Sequence, residues 1–96
     1  MISNADLIKA FINGQTAQNG SMRTDGEKLF SYATCIAQKT SDGILFNVCK
    51  YSTTTSKQQT YTRRALENGK HHFIEVGEDC HICRGTSDLT RYKKAA

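Results

Sequence analysis

The sequence predicts a small α+β domain: helix, β-hairpin, helix and strand, with the helices packed on a short antiparallel sheet. Three observations predict it. Residues 3–13 and 55–68 are segments with helical capping residues, closed by Gly14 and Gly69. Residues 28–39 and 43–51 alternate in the manner of strands across Ser41-Asp42-Gly43. The chain has 96 residues, enough for one domain with one modest core but not for a large cofactor fold. The domain spans residues 1–96, with about ten loosely ordered residues expected at its C-terminus.

In the first helix Ser3 is the expected cap and Asp6 sits where the positive helix end favours an acid. Ala5, Ile8, Phe11 and Ile12 share one face, with Leu7 on its margin. Residues 14–26 are rich in Gly, Asn, Gln, Ser and Thr without apolar period, and read as a long loop carrying Met22 and Arg23. In residues 28–39, Phe30, Tyr32, Thr34 and Ile36 alternate with Leu29, Ser31, Ala33, Cys35 and Ala37, the pattern of one continuous strand. A three-residue loop then sets Thr40 opposite Ile44, which places Cys35 opposite Cys49.

Residues 52–56 are five hydroxyl side chains in a row. Thr55 is the expected cap of the second helix, with Gln58 at the reciprocal position and Tyr61, Ala65 and Leu66 facing inward. Residues 71–76 follow as a further strand, with His72, Ile74 and Val76 on one face, and residues 77–96 as a turn-rich tail.

The net charge of +4 is modest, and its distribution says more. Between Gly43 and Leu66 the cations Lys50, Lys57, Arg63 and Arg64 meet no acid, and Arg84, Arg91, Lys93 and Lys94 are set against Asp88 alone. Clustered positive charge is the footprint of an acidic or phosphate-bearing partner. A hydroxyl-rich helix start with a lysine offers unpaired N–H donors and positive potential, so Thr55, Ser56, Lys57, Arg63 and Arg64, with Lys50 and Arg23 nearby, form the expected partner or nucleic-acid site. The run lacks the glycines of a Walker-type loop.

Cys80 and Cys83 form a single Cys-x2-Cys. With Cys35 and Cys49, or with a histidine from His71, His72 or His81, they would complete a four-ligand zinc site, beside the alternatives of reduced thiols or of disulfides. No nucleophile stands beside a base at a recognisable spacing, so the expectation is a protein without enzymatic activity and without an obligate cofactor. The N-terminal residues lack a cationic leader and no apolar run reaches the roughly 20 residues of a membrane span, so a soluble, intracellular protein is expected.

Ser31, Tyr32, Thr34, Ile36 and Ala37, followed after the hairpin by Tyr51, Ser52, Thr54, Thr55, Ser56, Lys57 and Gln59, resemble a family of small, largely uncharacterised bacteriophage or prophage proteins. That family shows a pattern similar to S-Y-x-T-x-I-A and then Y-S-x-T-T-S-K-H-Q, and Gln58 stands here in place of its usual histidine. The resemblance covers about the middle half of the chain. It implies a phage origin, a cytoplasmic location in the bacterial host and an anti-CRISPR-like role, with a Cas-type effector or another host nucleoprotein complex as partner. The alternative is a small regulator that binds nucleic acid directly.

Overall fold

Ser3 accepts from the amide of Asp6 at 3.2 Å and opens the first helix, α1 (Asn4–Ile12), as expected. The computed structural model describes residues 2–41, 43–51, 53–77, 82 and 84–92. Along the described chain follow β1 (Ala17–Gln18), β2 (Met22–Thr24), β3 (Lys28–Ser31), β4 (Thr34–Thr40), β5 (Gly43–Asn47), α2 (Thr53–Asn68) and β6 (Phe73–Val76), and a 3₁₀ turn closes it at Leu89–Tyr92.

The α+β class holds, but the sheet is larger than expected and mixed. Its six strands lie in chain order, antiparallel through the meander β1 to β5. β6 then joins β5 in parallel, because α2 carries the chain back to the end where β5 began. The expected loop at 14–26 holds two short strands, β1 and β2. Gly26, at φ +94°, is needed there: a Cβ would meet the Gly14 carbonyl oxygen at 2.7 Å, so the β2–β3 turn closes against the end of α1.

The single strand expected over residues 28–39 is two strands, β3 and β4, joined at Tyr32-Ala33. Tyr32 takes φ +55°, and its amide donates to the Ser21 carbonyl at 2.8 Å. On the ladder Leu29 faces Ala37 while Phe30 faces Cys35, so Ile36 is the extra residue of a β-bulge. The bulge reverses the alternation. Ile36 and Ala37 both face the helices, and Cys35 turns to the opposite core.

The β4–β5 register is one residue away from the expected one. Thr40 faces Gly43 and Lys39 faces Ile44, so Cys35 and Cys49 are not cross-strand neighbours. They meet instead in one buried cluster with Phe30, Leu45, Val76, Ile82 and Leu89.

Two cores result, one on each face of the sheet. Leu7, Ile8 and Phe11 of α1 and Leu66 of α2 pack on Met22, Leu29, Ile36 and Phe46. The second core is closed by a strap formed by the described residues 84–92. The Cys35 amide donates to Thr86 O at 2.8 Å, Lys28 Nζ to Ser87 O at 2.6 Å, and the Leu89 amide to Gln38 Oε1 at 2.7 Å. Leu89 and Ile82 are both fully buried.

Candidate functional site

The inward side of α2 is polar. Thr55, Gln58, Gln59 and Thr62 are buried together with Leu66, and each amide finds a partner. Gln59 Nε2 donates to Asn47 O at 2.7 Å and to Cys49 O at 3.0 Å, serving one carbonyl at the end of β5 and one just beyond it. Gln58 accepts from the Ser31 hydroxyl and donates to Ser21 Oγ at 3.0 Å, and Ser31 Oγ lies 3.2 Å from Thr55 Oγ1. This network seats α2 on the turns around Ser21 and Ser31. It also displaces Thr55 from its expected role: the helix begins at Thr53, and Thr55 is buried within the first turn.

Because amides and hydroxyls take the inner face, Tyr61 is turned outward, against expectation, and is 48% exposed. Lys57 and Arg64 flank it one turn away on either side, with Thr53, Ser56 and Thr60 completing a shallow basic hollow of about 330 Å³. The same ring and the same arginine border a groove of about 340 Å³ between α1 and α2, floored by Ile8, Ile12 and Ala65 and rimmed by Lys9. No described residue lining the hollow or the groove is acidic. An aromatic ring over an apolar floor with cations at its edge is the composition of a docking surface.

A family model for a family of unknown function, DUF8033, matches residues 4–76. The chain belongs to that family. The DUF8033 match runs from α1 to the end of β6, takes in the whole groove and the basic hollow, and stops before the strap. No curated protein and no solved structure matches the chain.

The residues expected to act together are divided among three places. Lys57, Arg64 and Ser56 share the outer face of α2. Lys50 and Arg63 lie on its other flank, beside Phe46 and Val48. Arg63 is engaged within the fold: its Nη1 is 2.9 Å from Glu75 Oε1, and its guanidinium lies 5.3 Å from the centre of the Phe46 ring. Arg23 belongs to neither place. Its guanidinium covers Phe30 at 4.1 Å, and Phe30 is part of the core on the sheet face opposite α2. Sequence reasoning missed Lys9 and Tyr61. A signal was present, since Tyr61 stands four residues after Lys57 and three before Arg64, on one side of any helix drawn through them.

Of the four cysteines, Cys80 and Cys83 lie outside the described residues. Cys35 is a buried free thiol, and Cys49 is buried in the same core. Burial pushes the Cys35 thiol up to about 12, with its Sγ donating to Ala37 O at 3.2 Å, so it stays protonated at neutral pH. Among the described residues no three His, Cys, Asp or Glu side chains converge as metal ligands. Tyr51 is likewise pushed up to about 12 by burial; its hydroxyl accepts from Asn47 Nδ2 at 3.0 Å and donates to Ile82 O at 2.6 Å. No described helix is long and apolar enough to cross a membrane.

Proposed function

We propose that the chain is a non-enzymatic binding protein that docks, through the α1–α2 groove and its basic rim, on an acidic surface of a protein or ribonucleoprotein partner. The observation that carries this reading is Tyr61, half exposed between Lys57 and Arg64 at the mouth of an apolar groove. A ring left half in solvent returns only part of its burial to folding, whereas a rigid aromatic anchor ringed by cations is what interface hot spots contain.

Magnitude separates this reading from direct nucleic-acid binding. With Arg63 held by Glu75, the cations of this face among the described residues are Lys9, Lys57 and Arg64. About three phosphate contacts give a log–log salt slope of roughly −2 to −3, against the 6–10 contacts typical of strong electrostatic binders. That is too little charge to hold naked DNA or RNA tightly, and enough to orient a docking protein. The likeness of residues 31–37 and 51–59 to small phage proteins supports a host-defence nucleoprotein complex in the bacterial cytoplasm as the partner, with inhibition as the outcome.

Binding of the chain to an immobilised Cas-type effector ribonucleoprotein, beside naked single-stranded DNA and RNA across a salt series, tests the proposal. Lys57→Glu/Arg64→Glu and Tyr61→Ala should each abolish capture of the complex without lowering the melting temperature. Full binding by both variants would overturn the docking face. Tight binding of naked nucleic acid with a slope steeper than about −4 would replace it with the direct binder.

A further inference from the structure

We infer that the cavity beside Tyr32 binds a small anion with a flat ring, the ring bearing one carboxylate directly or one phosphate through a sugar. The cavity has a volume of about 340 Å³ and is lined by Tyr32, Thr34, Tyr51, Thr55, Arg84 and Gly85, where the β3–β4 turn, the start of α2 and the strap meet. It shares no lining residue with the α1–α2 groove.

The first observation is Tyr32 itself. It holds φ +55° in a two-residue turn and is 60% exposed. Positive φ strains a bulky L-residue, and Gly or Asn would occupy the position with less strain. A ring that stays mostly in solvent returns little burial for that strain. Folding alone therefore gives no reason for a tyrosine here, and strained residues of this kind gather at ligand clamps.

The second observation is the chemistry of the wall. Arg84 is the only charged side chain among the described lining residues, and it shares the wall with two tyrosines and the hydroxyl residues Ser31, Thr34 and Thr55. The Gly85 amide donates to Thr34 Oγ1 at 2.9 Å, which fixes the strap to the turn and carries Arg84 to the rim. Thr55 lies in the first turn of the 16-residue α2, where the backbone favours negative charge. A mostly apolar cleft with a few convergent polar groups is the usual form of a small-ligand site, and this one is near the lower end of the common range of about 300–1,000 Å³. It has room for a ring with a single anionic substituent. The ring would lie against Tyr32, and the guanidinium fork would take the anion.

Titration of the isotope-labelled full chain with AMP, with 4-hydroxybenzoate and with inorganic phosphate, followed by NMR, tests this. AMP or 4-hydroxybenzoate should give saturable shifts at Tyr32, Thr34 and Gly85, and the better probe identifies the ligand as nucleotide or aromatic acid. Arg84→Gln and Tyr32→Gly should each weaken binding by roughly tenfold or more, the loss of one charge-assisted or stacking contact. Tyr32→Gly should melt at or above the wild-type temperature, and Lys57→Glu/Arg64→Glu should bind the probe unchanged. The inference is overturned if neither probe saturates, if either site variant binds like wild type, or if phosphate alone binds as tightly as AMP. A melting temperature for Tyr32→Gly below wild type would also overturn it, by making the ring a packing element.

Discussion

Arg63 and Glu75 are joined by an ion pair, Nη1 to Oε1 at 2.9 Å, that ties the middle of α2 to β6. Their side chains are 39% and 33% exposed, so the pair is partly hydrated, and the Phe46 ring under the guanidinium adds a second contact. One of two adjacent arginines is thereby structural, while Arg64 stays at the groove.

Arg63→Ala should therefore cost up to about 1 kcal/mol, most of it shared with Glu75→Ala, and leave partner binding within a few-fold of wild type. Urea unfolding of the two single variants and the double variant measures the coupling. Arg64→Ala should show the opposite pattern, with unchanged stability and weakened binding.

Gln59 is the most exacting position on the inner face of α2. Its amide serves two carbonyls, Asn47 O and Cys49 O, at a site that is 9% exposed. Gln59→Leu keeps the volume and strands both carbonyls, so it should destabilise by about 1–3 kcal/mol. A denaturant midpoint equal to wild type would show that the network contributes nothing.

The strap predicts a large effect far from either candidate site. Leu89 is fully buried against the second core, and Leu89→Ala should cost about 2–5 kcal/mol in urea. A denaturant midpoint equal to wild type would show that Leu89 adds nothing to the second core.

Stability should also fall in alkali. The folded Cys35 thiol is raised from 9.0 to about 12, so between those values the unfolded chain has lost a proton that the folded chain keeps. The contribution is complete below pH 9 and declines as pH rises toward 12, with a slope of at most about 1.4 kcal/mol per pH unit. Melting temperatures across that range should drop less steeply in Cys35→Ala than in wild type, after allowance for the smaller side chain at neutral pH.

Local chemistry located most of the elements. Ser3 and Gly14 mark the ends of α1, Gly69 follows the last residue of α2, and apolar alternation marks β5 and most of β6. The division of residues 28–39 was not legible, since Tyr32-Ala33 is no turn dipeptide and the alternation runs through it unbroken. Only the pairing of Leu29 with Ala37, eight positions on, bends the chain there. The candidate groove was half legible: Lys57 and Arg64 were found from charge, and Tyr61 was placed on the wrong side. Hydrophobicity assigned the inner face of α2 to an aromatic ring, whereas Gln58 and Gln59 occupy it by bonding to groups distant in sequence.

What the sequence by itself determined is the α+β class, the extents of the two helices to within three residues, and an acid-free stretch of cations leading into and along the second of them. The tertiary structure decided the register, the bulge at Ile36, the closing strap, which arginine is tied to Glu75 and where Tyr32 stands. The division has one physical reason. Caps, glycines and periodicity act within a few residues, while partner choice for a carbonyl, a guanidinium or a strand edge is settled by what the folded chain brings within about 3 Å.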